Sequence, residues 1–370
     1  MKTVLFVSYS MGIGGVEKAL LGVAGKFVQD GWTVHIALIK PEGEFLAYLP
    51  NNVTVHKIDT FEKIRPLIHT PMKQTVVKSL KNLDIRRAVQ VGVCLLDSKI
   101  NGGARKLYDY AFKNLPLFST QTYDLAVAFA GPDAFIDSYT NKCIKAREKW
   151  GWIHFDVTKF GIDRSIIADV YQEYTRINIV SEQAKEIFDT TFPQFAHKTY
   201  VTPNIIDESL IKRMAEEEIQ FPQADNKHVI LTVGRISKEK GQFKAIQALE
   251  ILVKQGFRDL QWWFVGAGTD MERCKAYVHN AGLDDYVIFV GPQVNPYPYM
   301  KHCDLYVQPS EHEGFCITLA EAKLFGMPIV ATNFTGAKEQ LESYSHPNMI
   351  IELSAANLAE AIESSIYRYQ

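Results

Sequence analysis

The feature that most constrains this chain is an alternation of short, mainly apolar runs with longer stretches of helical spacing. The alternation proceeds, breaks, and begins again. Apolar runs at 4–7, 34–39, 125–129 and 177–180 are interleaved with helical patterns such as 17–30 and 183–188. A second series follows at 229–233, 262–265, 287–290, 305–307 and 329–331, with helical patterns at 244–254, 271–281 and 317–325. Runs this short, with no polar residue at every second position, predict strands buried on both faces of a parallel sheet. Between the series, Thr202-Pro203-Asn204-Ile205-Ile206-Asp207 opens a polar, Glu-rich stretch that lasts to Asn226. Its Pro, Asn and Asp mark a break. At 370 residues the chain also exceeds the ~300 at which a single core stops growing. The expected architecture is two doubly wound α/β domains, 1–203 and 226–354, joined by a hinge at 204–225 and closed by a helix within 355–370. Ligands should bind at the C-terminal ends of the strands, in a cleft faced by both sheets.

Composition narrows the function classes. With 47% hydrophobic and 22% charged residues and a formal net charge of −2, the chain is globular and is not expected to bind nucleic acid. Its five cysteines (Cys94, Cys143, Cys274, Cys303, Cys316) are scattered and form no CxxC, which fits reduced thiols and a cytoplasmic location. Met1–Ser8 reads as a first strand and not as a signal peptide, and no apolar window is long enough to span a bilayer. The charge is uneven: 57–113 holds twelve Lys/Arg against five Asp/Glu. That run is either a solvated face or a peripheral patch for anionic lipid at the inner face of the membrane.

Three segments carry chemistry. Gly12-Ile13-Gly14-Gly15-Val16-Glu17 follows the first strand and opens a helix. Such a turn either serves the fold alone or lets backbone N–H groups approach a phosphate. Gly234-Arg235-Ile236-Ser237-Lys238-Glu239-Lys240-Gly241 also follows a strand directly; either it is an exposed loop with scattered charges, or Arg235 and Lys240 converge on a diphosphate as planar fork and point charge. The most specific is Ser310-Glu311-His312-Glu313-Gly314-Phe315-Cys316-Ile317-Thr318-Leu319-Ala320-Glu321. Glu313 and Glu321 are either a pair of solvated surface glutamates, or one carboxylate in a loop and a second on an apolar helix, where burial demands partners such as sugar or ribose hydroxyls. His154, in Trp150-Gly151-Trp152-Ile153-His154-Phe155-Asp156, is either a core histidine or a group at a strand end facing the ligand. Asp156 either orients that imidazole or touches an acceptor, and Ser181 is an acceptor-side candidate or a helix cap.

Taken in order, Gly14-Gly15-Val16-Glu17, Trp152-Ile153-His154, 201–207, Gly234-Arg235, 291–299, 304–310 and the Glu313/Glu321 pair resemble the retaining family 4 glycosyltransferases of GT-B fold, in particular bacterial polysaccharide-assembly members. The resemblance runs over nearly the whole chain. It implies a hexosyltransferase that moves a sugar, with retention, from a nucleotide diphosphate carrier, UDP being the expected nucleotide. The acceptor implied is a glycan or a lipid-linked glycan. By position, Arg235 and Lys240 match the grip on the donor pyrophosphate, Glu321 the ribose contact, and Glu313 the residue facing the donor sugar. Gly314, Phe315 and Cys316 match backbone donors to sugar or phosphate. Gly14 and Gly15 match the loop that closes on the phosphates, and His154 a histidine reaching the donor sugar. Val294 matches the backbone that contacts the base. The closing helix, read as 355–369, is the candidate for the family's crossing back to the first domain.

No Asp-x-Asp occurs in the sequence and no His/Cys spacing suits a metal, so no metal or other cofactor is expected. Arg235, Lys240 and backbone N–H groups would then stabilise the leaving diphosphate. The family is thought to retain configuration by same-face attack with help from the donor phosphate. Glu313 is accordingly expected to position the sugar and not to form an adduct. Two alternatives stay open: a nucleotide-sugar epimerase of the same architecture, and a catalytically silent nucleotide-sugar-binding subunit.

Overall fold

The computed structural model describes residues 1–159, 161–224 and 226–367. The chain divides into two compact units: Met1–Gly12, Val16–Val180 and Ala184–Pro203 form the first, and Ile13–Gly15, Ser181–Gln183 and the chain from Asn204 onward form the second.

The first unit holds strands β1 (Thr3–Ser8), β2 (Thr33–Leu38), β3 (Thr54–Lys57), β4 (Tyr123–Gly131), β5 (Ala146–Ile153), β6 (Arg176–Ile179) and β7 (Thr199–Val201). They pair in the order β3-β2-β1-β4-β5-β6-β7, every pairing parallel. The chain winds outward from β1 to β3 and then returns beside β1 with β4. The winding direction therefore reverses between β1 and β4, and the loops leaving those two strands must part there. Val4, Leu5, Phe6 and Val7 are fully buried because helices cover both faces.

The second unit repeats the plan with β8 (His228–Val233), β9 (Leu260–Val265), β10 (Val287–Gly291), β11 (Leu305–Gln308), β12 (Ile329–Thr332) and β13 (Asn348–Ile351), ordered β10-β9-β8-β11-β12-β13 and parallel throughout. Its reversal lies between β8 and β11. Strand alternation divides its core in two. Ile230, Trp262, Phe264, Leu305 and Val307 face one apolar layer, and Leu231, Trp263, Val265 and Tyr306 face the other. Each apolar run expected to be a strand coincides with one here, to within a residue at Ile39 and Val180, and all five cysteines are buried free thiols. Among the described residues no helix is long and apolar enough to cross a membrane.

Two expectations need adjustment. The presumed hinge contains helix Glu208–Met214, capped by Asp207, whose carboxylate accepts the Leu210 N–H at 3.0 Å. Ile211 and Met214, three residues apart on one face, are buried in the second unit's core. The chain is thus packed soon after the boundary, and Asp225 lies outside the described residues. The closing helix, Ala355–Tyr367, buries Leu358, Ala361, Ile362 and Ile366 in the second unit's own core, in the same layer as Ile246 and Leu249. Its one apolar face is thereby committed to this unit instead of serving as a crossing element; positions 368–370 lie outside the described residues.

One buried carboxyl in the first unit gives a measurable consequence. Asp137, on helix Ala134–Cys143, is fully buried and accepts the Asp133 N–H at 2.7 Å and the Tyr174 hydroxyl at 3.1 Å. Burial pushes its carboxyl up to about 8, the Asp133 N–H opposing this only in part. The folded chain then keeps a proton that the unfolded chain releases above its ordinary value near 3.8. Stability from this group is complete at low pH and drains away as pH rises towards 8. Asp137→Asn should remove that dependence. The melting temperature of the variant relative to the wild type is expected to climb between pH 5 and pH 8.5, and a difference that stays flat would refute the assignment.

Candidate functional site

The loops leaving β8 and β11, at the reversal point of the second sheet, are joined backbone to backbone. Glu311 donates its N–H to the Glu239 carbonyl at 2.8 Å. Gly241 ends the 3-10 turn Lys238–Lys240 with φ +74° and starts helix Gln242–Lys254; a Cβ there would stand 1.8 Å from the Pro309 carbonyl oxygen. Only glycine tolerates both the backbone angle and the approach.

This contact sets Lys240 beside Glu313. The Lys240 Nζ donates to Glu313 Oε1 at 2.6 Å, with the carboxylate side chain 7% exposed. Burial alone would push the ammonium down, but the Glu313 carboxylate holds it above the ordinary lysine value. Ser310 Oγ donates to the same Glu313 oxygen at 2.7 Å, and Gln308 Nε2 donates to Ser310 Oγ at 2.9 Å. Tyr306 completes the chain by donating to Gln308 Oε1 at 2.7 Å. The Thr332 hydroxyl donates to the Ser310 carbonyl and so ties the loop to the end of β12. A buried ion pair is held here by a fully hydrogen-bonded support, the arrangement that makes such a pair tolerable.

The other expected residues of this unit fall around the pair. Arg235 is mostly exposed, 3.5 Å from Glu239, while its carbonyl accepts from Gln242 Nε2 at 3.0 Å. Glu321 is buried on helix Ile317–Ala322 and accepts the Tyr297 hydroxyl at 3.0 Å. Burial above all holds the Tyr306 phenol well above its ordinary value, and Glu321 and Glu313 both add smaller contributions in the same direction. Gly314 is buried and Phe315 half-buried. Cys316 precedes that helix in the left-handed region, φ +63°, and burial beside Glu313 raises its thiol, so it stays protonated and is no nucleophile. Val294 sits in the turn after β10; its neighbour Asn295 anchors that turn by donating to the Met214 carbonyl at 2.8 Å.

The expected residues that precede Pro203 in the chain stand at strand ends. Gly14 lies between β1 and helix Gly15–Gln29, and Gly15 is exposed with open space where a Cβ would go. His154 follows β5 and its Nε2 meets the Phe129 carbonyl at 2.6 Å. Burial pulls its imidazole down to about 4, so it is neutral at pH 7, with Nε2 as donor and Nδ1 as acceptor. Asp156 does not orient that ring: its Oδ1 accepts the Thr158 N–H at 2.9 Å and the Thr158 hydroxyl at 2.6 Å, shaping a local turn. Ser181 is buried one residue before helix Glu182–Thr191.

The chain superposes on Anabaena HepE, solved in complex with UDP and glucose, with a TM-score of 0.69 over 99% of this chain and 90% of that one, at 18% identity. The fold is GT-B. Residues 214–367 match the family described as Glycosyl transferases group 1. An uncharacterized glycosyltransferase of Methanocaldococcus jannaschii is 26% identical over 191 residues, 50% of this chain and 47% of that protein. The N-acetylgalactosamine-N,N'-diacetylbacillosaminyl-diphospho-undecaprenol 4-alpha-N-acetylgalactosaminyltransferase of Campylobacter jejuni is 25% identical over 187 residues, 50% and 49% of the two chains. The chain thus spans about half the length of these curated relatives.

Several residues of these clusters escaped the sequence reading. Gln308, Ser310 and Tyr297 carry the support of Glu313 and Glu321, and nothing in their spacing marks them. In the first unit, Tyr9 after β1 donates to Asp133 Oδ2 at 2.8 Å, across the reversal between β1 and β4. The available signal was Gly131-Pro132-Asp133 directly after an apolar run, with Asp133 capping helix Ala134–Cys143 through the Phe135 and Ile136 N–H groups.

Since Gly241 fixes the distance between the β8 and β11 loops, Gly241→Ala should destabilise the protein by about 2 kcal/mol or more, from the backbone angle alone. A denaturant midpoint equal to that of the wild type would show that the two loops do not meet at this glycine.

Proposed function

We propose that the chain is a glycosyltransferase that moves a hexose from a UDP-sugar, with retention of configuration and without a metal, onto a glycan or lipid-linked acceptor. The observation that carries the reading is the Lys240–Glu313 pair, held rigid where the strand order of the second sheet reverses. That is where doubly wound sheets take nucleotides. The match of 214–367 to Glycosyl transferases group 1 and the likeness to a UDP-bound GT-B structure support the same class.

In this reading Lys240 and Arg235 receive the pyrophosphate. Lys240 keeps two N–H groups beyond the one given to Glu313, and the exposed Arg235 guanidinium can swing from Glu239 to a phosphate. Glu321 takes the ribose hydroxyls, the backbone at Val294 takes the base, and the N–H groups of Gly314, Phe315 and Cys316 meet sugar or phosphate oxygens. Gly14 and Gly15 allow backbone to approach the phosphates; the open space at Gly15 means packing does not demand glycine there. Neutral His154 offers Nδ1 to a donor-sugar hydroxyl.

As the anomeric C–O bond to the diphosphate breaks, positive Lys240 and Arg235 stabilise the charge that gathers on the leaving group. The acceptor oxygen attacks on the same face and its proton passes to a phosphate oxygen. Glu313 is committed to Lys240 and Ser310, which suits positioning and not covalent catalysis. Metal independence is supported by the absence of Asp-x-Asp from the sequence. A lipid-linked acceptor fits a cytoplasmic enzyme working at the inner face of a membrane, and the 57–113 basic region would supply the contact.

Arg235→Ala, at an exposed position, is expected to leave the melting temperature unchanged and weaken UDP binding about tenfold, the loss of one charge-assisted contact. Lys240→Ala should weaken it at least as much and also lower the melting temperature by stranding Glu313. Titration calorimetry showing wild-type UDP affinity in both would remove the diphosphate grip. Sugar transfer from a UDP-sugar should also survive EDTA; complete loss restored by added metal would overturn the metal-free mechanism.

A further inference from the structure

Helices Met72–Lys81 and Ile85–Asn101 of the first unit form a hairpin that leaves several large apolar side chains exposed. The first of them buries Thr75 and Ser79 while Leu80 is exposed. The second buries Ala88, Val91 and Cys94, yet Ile85, Val89, Val93, Leu96 and Ile100 are also exposed, from 53% at Val93 to 80% at Ile100. At 3.6 residues per turn these five fall within an arc of about 80°, opposite the buried face. Leu83, in the turn between the helices, is 85% exposed. A helix apolar on two opposite faces has one face for the core and another for something outside it.

We propose that this stripe is a docking surface for a bilayer containing anionic lipid, the helix lying in the interface plane. Charge selects that occupant. Positions 71–101 carry six Lys/Arg and two Asp. Both acids are engaged locally: Asp84 caps the second helix through the Arg87 N–H, and Asp97 pairs with Lys106 at 2.7 Å. Arg86 and Lys99 border the stripe on its two sides, and Lys73, Lys78 and Lys81 extend the basic rim. A second copy of the chain fits less well. Symmetric pairing would set these basic rims against each other, and a stripe about 25 Å long and one helix wide offers roughly 250 Å². A stable dimer needs on the order of 800 Å² from each partner. The inference rests on the lipid-linked acceptor reading only for its purpose, since binding is measured without acceptor or donor.

The test is flotation of the full-length chain with vesicles of phosphatidylcholine, with and without phosphatidylglycerol. The wild type should float with the phosphatidylglycerol vesicles and lose that binding progressively as salt is raised. The triple variant Val89→Gln, Val93→Gln, Leu96→Gln should bind them at least tenfold more weakly, while its melting temperature and UDP affinity stay at wild-type values. Wild-type chain that ignores the anionic vesicles, or a variant that binds them equally, overturns the proposal. So does light scattering that finds a dimer which the triple substitution dissolves, for the stripe then belongs to a second copy. Absence of UDP binding in both proteins would strike the proposed function and leave the docking result standing.

Discussion

The structure of the second unit depends on the meeting of Lys240 and Glu313. Bringing two opposite charges out of water costs several kcal/mol per ion, and their attraction returns that only when geometry and hydrogen bonding are both good. Here both conditions come from elsewhere in the unit. Gly241 lets the β8 loop press against the Pro309 carbonyl, and the Glu311-to-Glu239 backbone bond fixes the register of the two loops. Ser310, Gln308 and Tyr306 then support the Glu313 carboxylate in a hydrogen-bonded line running down into the sheet. So much support for one ion pair adds little net stability over an apolar alternative of the same volume. It does fix the direction of one ammonium and one carboxylate, and fixed direction is what electrostatic preorganisation requires.

The same logic separates the two glutamates. Glu313 is charge-paired and stands at the loop end of a hydrogen-bonded chain, whereas Glu321 lies on a buried helix face and takes the phenol of Tyr297. Their eight-residue separation carries the backbone from the loop after β11 into helix Ile317–Ala322, so the two carboxylates reach one region from different elements. His154 shows a third solution, a neutral imidazole kept uncharged by burial and oriented by the Phe129 carbonyl. Such a ring contributes a directed hydrogen bond without adding positive charge to its surroundings.

How much of this could be read in advance follows from how each feature is encoded. Fully buried parallel strands appear as bare apolar runs, so β1, β8, β9 and β11 were legible. Loops after such strands were legible as well, which is why Arg235, Lys240 and Glu313 could be named. Other strands were not: β3 and β7 are short, partly exposed and mix polar with apolar residues, and β13 offers only Met349-Ile350-Ile351 behind Asn348. Helix Glu208–Met214 was hidden inside a polar stretch because it buries only Ile211 and Met214. Asp156 misled because a carboxylate near a histidine in sequence suggests a partner, whereas its nearest donors are those of Thr158, two residues on. The supporting polar residues were invisible because a buried hydrogen bond depends on three-dimensional pairing and leaves no period.

The 57–113 region marks the limit of reading charge without periodicity. Its excess of Lys and Arg is evident from counting, but a basic run alone is compatible with a solvated face. What distinguishes the second helix of the hairpin is the coincidence of two apolar arcs on one cylinder, at Ala88, Val91 and Cys94 and at Ile85, Val89, Val93, Leu96 and Ile100. Only the structure says which arc the core consumes, because either could have faced inward on sequence alone. Once Val91 and Cys94 are seen to be buried, the hydrophobic effect leaves the other arc as unspent driving force. The basic residues on its borders then acquire a direction, towards whatever apolar phase carries negative charge at its surface.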